Sequence, residues 1–161
     1  MSKTRDIPAL IFWLILCFGT GFIGAMGTRD APMFYAQLSL PSWAPPASVF
    51  GPVWTVLYVL MAIAAWMVWQ RRSVPGANAA LGLFVVKLVA NALWSWMFFA
   101  WHRGALAFVN VVVLWILLVA TTVLFKRIKP AAALLLAPYV VWVSFASALA
   151  YSAWQRNPGV L

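Results

Sequence analysis

Glutamate is absent from this 161-residue chain, and aspartate occurs only twice, as Asp6 and Asp30. Two isolated carboxylates cannot form the paired acid and base that many hydrolases use. Cys17 is the single cysteine and His102 the single histidine, which excludes an intrachain disulfide and a Cys/His metal cluster. His102 sits in a turn beside Arg103, with nothing nearby in sequence to orient its ring as a haem ligand. The chain also lacks a glycine-rich nucleotide loop and a Ser-His-Asp set. Charge of either sign is scarce: 11 Lys and Arg accompany the two Asp, for a net charge of +9. The cations fall in short gaps between apolar runs, not along a polar face, so the basic balance points to membrane-flanking charge and not to nucleic acid.

What remains is 66% apolar and holds 11 tryptophans. A surface this poor in charge needs lipid as its solvent. A helix needs about 20 apolar residues to cross a bilayer. Five segments meet that length, at about 7–27, 47–70, 79–101, 105–125 and 131–154. None shows the period-2 alternation of a membrane strand. The fold class expected is an all-α membrane protein, a bundle of five transmembrane helices in a single domain spanning 1–161. The first run exceeds a signal-peptide core and ends in glycines, so it reads as a retained helix.

Residues 28–46 differ from the other connections. Pro32, Pro41, Pro45 and Pro46 break helix, yet Met33, Phe34, Tyr35, Leu38, Leu40 and Trp43 are too apolar for a solvated linker. A folded, lid-like loop over one mouth of the bundle is expected between helices 1 and 2. Five spans put the termini on opposite sides. Lys3, Arg5, Arg71, Arg72, Lys126, Arg127 and Lys129 share one side; Arg29, Arg103 and Arg156 share the other. The positive-inside rule then predicts a cytoplasmic N-terminus and an external loop.

Inside the spans, aromatic and polar residues recur at helical spacing. Trp54, Tyr58 and Met61 lie on one face of the second span. Lys87, Asn91, Trp94, Ser95 and Phe98 lie on one face of the third. Tyr139, Trp142, Ala146 and Ala150 lie on one face of the fifth. Trp66, Trp69, Trp101 and Trp154 fall near span ends and read as interfacial belt residues. Trp54, Trp94 and Trp142 fit either helix–helix packing or a pocket. Asn91 must find partners inside the bilayer. Lys87 either snorkels to the headgroups or meets a ligand's carboxylate. An aromatic slot with a cation suits a large planar anion.

The stretch Leu40-Pro41-Ser42-Trp43-Ala44-Pro45-Pro46, followed by Phe50-Gly51-Pro52-Val53-Trp54-Thr55-Val56-Leu57-Tyr58, closely resembles the tryptophan-rich sensory protein family, which includes the mitochondrial translocator protein (peripheral-type benzodiazepine receptor). The likeness continues through Asn91-Ala92-Leu93-Trp94-Ser95, Phe98-Phe99, and Pro138-Tyr139-Val140-Val141-Trp142-Val143-Ser144-Phe145-Ala146, to Tyr151, Trp154, Arg156 and Asn157. It implies a five-helix integral membrane receptor or sensor, in a bacterial cell membrane, that binds tetrapyrroles such as protoporphyrin IX or a haem-like relative. Sterols and isoquinoline or benzodiazepine drugs are further ligands it implies. The implied pocket uses Tyr35, Pro41, Trp43, Trp54, Tyr58, Asn91, Trp94, Phe98, Trp142 and Ala146, and Leu149, Tyr151 and Arg156 fit the weak cholesterol pattern. Two other functions remain open: transport of porphyrins or sterols, and light-dependent porphyrin degradation with Trp54 and Trp142 as reactive indoles and no further cofactor. The resemblance also implies a homodimer; Gly21-x-x-x-Ala25 and Ala146-x-x-x-Ala150 permit close helix contact. The sequence departs from relatives at Phe34, where they usually carry tryptophan, at Leu40, where they usually carry lysine, at Lys87, where they often carry glutamine, and at Ala150, where they often carry asparagine.

Overall fold

The computed structural model describes residues 6–161. Lys3 and Arg5, used in the orientation argument, lie outside the described residues. Six helices follow one another: α1 (Ile7–Met26), α2 (Ala31–Gln37), α3 (Phe50–Trp69), α4 (Ala77–Ser95), α5 (Gly104–Ile128) and α6 (Pro130–Arg156). A 3-10 turn, Ala47–Val49, leads into α3, and a π-helical turn, Trp96–Ala100, extends α4. Five of these segments, of 20 to 27 residues, are long and apolar enough to cross a membrane. The five-span expectation is therefore met.

The ends differ from the sequence reading where terminal chemistry outweighs hydropathy. The fourth span runs past Lys126 and Arg127 to Ile128. Cations in a last helical turn interact favourably with its carbonyls, so these two extend the helix instead of ending it. Pro130 then opens α6 at a position where no intrahelical donor is needed. Gly76 begins the approach to α4 at φ 88°, a left-handed conformation open to glycine.

The five long helices close into a ring. α1 packs on α3, α3 on α6, α6 on α5, α5 on α4, and α4 returns to α1. The half of the bundle at the Arg71/Lys126 end is solid. Ala62, Ala64, Ala65, Ala77, Ala80 and Ala132 are fully buried there and let the backbones approach. Trp13, Phe84 and Phe125 fill the centre, with Phe84 stacked on Phe125 at 5.9 Å and edge-on to Trp13 at 5.6 Å. At this end the Trp66 indole donates to the Asp6 carbonyl at 2.8 Å and Gln70 donates to the Asp6 carboxylate at 3.1 Å. Trp66 and Trp69 thus pack between helices, and Trp69 carries Arg72 over its ring at 4.8 Å. Of the tryptophans assigned to the belt, Trp101 is exposed, while Trp154 is half-buried and stacks on Phe108 at 6.0 Å.

The half at the His102 end is hollow, and the 28–46 segment folds over it. Within that segment α2 buries Phe34 and Tyr35. Phe34 stacks on His102 with ring centroids 4.0 Å apart and planes 6° from parallel. Tyr35 donates to the Pro45 carbonyl at 2.7 Å, closing the loop on itself. Asn157, just past α6, accepts from the Ser39 N–H at 2.8 Å and donates to the Ser39 carbonyl at 3.0 Å.

The small-residue pairs border internal space. A Cβ on Gly21 would meet the Tyr58 ring at 2.7 Å, and Ala25, Ala146 and Ala150 line internal space. Ala25 is also exposed on the outside of the bundle, so its pair with Gly21 borders both the cavity and the surface.

Candidate functional site: an aromatic cavity beneath the loop

Two chambers lie under the loop and share a wall. The larger, about 510 Å³, lies between α1, α3, α4 and the loop. That volume is within the range of small-molecule sites. The smaller, about 30 Å³, extends toward α5 and α6. Tyr35, Phe50, Trp54, Asn91, Trp94 and Phe99 line both. Phe22, Gly51 and Thr55 line the larger chamber and are also exposed on the outside of the bundle, so it is open sideways between α1 and α3.

The walls are aromatic for reasons of helical register. Trp54 and Tyr58 are one turn apart on α3, with ring centroids 5.7 Å apart, and Trp54 meets Tyr139 of α6 edge-on at 5.9 Å. Phe50, one turn before Trp54, packs edge-on to both Tyr35 and Trp142 at 5.5 and 5.8 Å. On the facing side Trp94 stacks on Phe98 at 5.3 Å. The π turn sets the direction of that wall. Its wider bond, Trp101 N–H to the Trp96 carbonyl at 2.8 Å, adds a residue to the turn and brings both Phe98 and Phe99 to the cavity. Hydropathy alone reads this stretch as uninterrupted helix, so the sequence analysis missed the π turn.

Three buried indole N–H groups have no hydrogen-bond partner among the described residues: those of Trp13, Trp94 and Trp142. Trp13 lies in the solid inner core, whereas Trp94 and Trp142 both line the smaller chamber. An unpaired donor in an apolar environment costs about 1–3 kcal/mol. Trp94 and Trp142 therefore place two uncommitted donors in the wall of one chamber.

The floor is polar. Asn91 donates an amide N–H to the Tyr58 hydroxyl at 2.8 Å and accepts the Tyr139 hydroxyl proton on its carbonyl. This meets the expectation that Asn91 needs partners, and it ties α3, α4 and α6 together. One turn below, about 6 Å along the axis, Lys87 is fully buried. Its Nζ lies 3.2 Å from the Met61 sulfur, 4.1 Å from the Phe84 ring centroid and 4.5 Å from that of Tyr139. Lys87 therefore lines neither chamber, and it does not snorkel. It lies ten residues into α4, about 15 Å from the helix end, which is beyond the reach of a lysine side chain. At the loop, burial of Tyr35 pushes its phenol above its ordinary value and keeps it a neutral donor.

The remaining sequence-selected residues sit as follows. Tyr35, Trp54, Tyr58, Asn91, Trp94, Phe98, Trp142 and Ala146 line the two chambers. Pro41 is buried in the loop without lining either. Trp43 packs outside them, edge-on to Phe145 at 5.6 Å. Leu149 is buried and lines the smaller chamber, whereas Tyr151 and Arg156 are exposed. Two positions apart on a helix is about 200°, so Leu149 and Tyr151 point to opposite sides and the cholesterol pattern does not form one surface. His102 is exposed and lies at a separate outer pocket with Arg29 and Asp30. Asn157, absent from the sequence-derived site, holds the loop from the far end of the chain; its only signal was its place in the family-like tail.

Comparison with known proteins fits this architecture. Residues 13–155 match the TspO/MBR family. The tryptophan-rich protein TspO of Chlorobaculum tepidum is 38% identical over 159 residues, covering 96% of this chain and 99% of that protein. The translocator protein of Homo sapiens is 36% identical, over 95% of this chain and 92% of its own length. The tryptophan-rich sensory protein of Cereibacter sphaeroides is 34% identical, over 94% and 93%.

Proposed function

The chain belongs to the TspO/MBR family, and from that membership we propose that this integral multi-pass membrane protein is a receptor or sensor for a tetrapyrrole of the protoporphyrin IX type. The observation that carries the proposal is the roofed cavity of about 510 Å³ with its smaller annex, walled by Trp54, Trp94 and Trp142. Indole faces stack on a flat conjugated ring, and the unpaired Trp94 and Trp142 donors supply hydrogen bonds to its acceptors. Neither chamber is lined by His, Cys or Met, and the phenols that do line them, Tyr35 and Tyr58, are hydrogen-bonded to the Pro45 carbonyl and the Asn91 amide, so the donor set favours the metal-free macrocycle over an axially ligated haem. Sterols and drug-like amphiphiles are secondary ligands of the same cavity. The N-terminus is cytoplasmic in this reading, the loop lies outside, the membrane is a bacterial cell membrane, and the protein acts as a homodimer.

Titration of tryptophan emission with protoporphyrin IX tests the reading. Saturable quenching at micromolar ligand is the expected result, and unchanged emission overturns it.

One observation favours a second role. The sideways opening at Phe22, Gly51 and Thr55 supports exchange of the ligand with the surrounding bilayer, and hence carriage across or along the membrane. Porphyrin flux into proteoliposomes separates carriage from binding alone. Photochemical degradation at Trp54 and Trp142 rests on the presence of these indoles and on no further geometric feature.

A further inference from the structure

Hydrogen-bond accounting at the cavity floor leaves one proton without a partner. The Asn91 carboxamide lies between two phenols, with its carbonyl oxygen toward Tyr139 and its amide nitrogen toward Tyr58, so only one phenol faces the acceptor. Tyr139 is that donor, and Tyr58 accepts from the Asn91 amide. The opposite amide orientation would leave the unused phenol proton on Tyr139, which is sealed in the core with the Lys87 amine over its ring. The observed orientation instead leaves it on Tyr58, which lines the larger chamber. The second amide hydrogen of Asn91 is likewise uncommitted, and Asn91 lines both chambers.

Beneath these donors sits an amine without an anion. The carboxylates among the described residues are elsewhere: Asp6 is held by Gln70 at the solid end, and Asp30 lies by His102 at the surface of the hollow end. Lys87 has a thioether and two aromatic faces as company. A thioether is a weak acceptor, and the rings offer cation–π attraction only. Thr28, Thr55 and Ser95 also line the larger chamber, but none of the cavity's other lining residues is a cation, so a charged group on a ligand finds donors backed by a lysine in one direction only.

We propose that the Tyr58–Asn91 floor, backed by Lys87, is an acid-group seat: an amphipathic ligand enters carboxylate first, with its acid pointing inward against the floor and not toward the loop. Tyr58 and Asn91 donate to the carboxylate directly. Lys87 does not touch it; it acts through the floor as the countercharge, and so sets specificity for acid-bearing over neutral ligands. The inference rests on the receptor reading above and adds the orientation of the ligand and the group that is recognised.

The test compares protoporphyrin IX with its dimethyl ester, which has the same ring and no acid. Wild-type protein is expected to bind the diacid at least about tenfold more tightly, equivalent to about 1.4 kcal/mol. Lys87→Met and Lys87→Gln remove the charge with different shapes, and both are expected to abolish the preference while leaving ester affinity within about threefold. Tyr58→Phe is expected to weaken diacid binding selectively. Ester binding is the internal control for folding in every variant. Equal affinity of wild type for diacid and ester overturns the acid seat while leaving the receptor reading in place. Parallel weakening of both ligands in the Lys87 variants also overturns it, because that pattern marks lost packing. Failure of wild type to bind either compound overturns the receptor reading and the seat with it.

Discussion

Asn157 and Ser39 exchange a reciprocal pair of hydrogen bonds, 2.8 and 3.0 Å long, across 118 positions of chain. The same carboxamide also donates to the Ala153 carbonyl at 2.7 Å. One side chain thus fastens the middle of the loop to the end of α6. Asn157→Ala breaks all three bonds, and the two to Ser39 leave backbone groups to find water. The expected loss is about 1–3 kcal/mol at roughly 1 kcal/mol per bond, seen as a lower thermal midpoint in detergent. Limited proteolysis is expected to cut within 28–46 several-fold faster than in wild type.

The Trp142 indole presents a different case, because its N–H has no partner to lose. Trp142→Phe keeps an aromatic ring against Phe50 and Phe145 and removes the unsatisfied donor. Stability is expected to stay within about 1 kcal/mol of wild type. Protoporphyrin affinity is expected to fall about twofold to thirtyfold, by loss of one hydrogen bond of about 0.5–2 kcal/mol. Thermal unfolding and fluorescence titration on the same sample check both halves.

Gly21 tests the fit of α1 to the floor. Any side chain there meets the Tyr58 ring edge at 2.7 Å, and that ring is tethered to Asn91. Gly21→Val is expected to displace Tyr58 and to lower ligand affinity by about tenfold or more, with a stability cost of about 1–3 kcal/mol from overpacking. Gly19, whose Cβ position is open, is the control: Gly19→Val is expected to leave binding unchanged.

The orientation can be read with thiol reagents, since Cys17 is buried. Ser42→Cys in the loop is expected to react with an impermeant maleimide added to intact cells. Ser73→Cys, in the basic turn after α3, is expected to react only after permeabilisation. The reverse pattern overturns a cytoplasmic N-terminus.

The five spans were legible because lipid imposes one requirement on every crossing helix, and run length records it directly. The aromatic faces of the second, third and fifth spans were legible for a related reason: spacing of three and four residues puts Trp54 with Tyr58, and Asn91 with Trp94, on single sides. Other features depend on partners distant in the chain. Lys87 reads equally as a snorkelling or an inward residue until Met61, Phe84 and Tyr139 are seen around it. Gly21 and Ala25 carry the same small-residue pattern whether they face a second copy or Tyr58. The reciprocal bonds of Asn157 to Ser39 have no local signature, since nothing near either residue names the other.

The π turn at Trp96–Ala100 holds one residue more than an ordinary helical turn would need. Deleting a single residue there would let the segment relax to regular winding while the chain beyond keeps its bearing, because the wide turn already takes up the extra residue. The same deletion elsewhere in the crossing would swing everything beyond it by about 100° about the axis and re-aim the His102 hairpin. A one-residue gap at this point in a relative would therefore cost the paired presentation of Phe98 and Phe99 while sparing the rest of the wall.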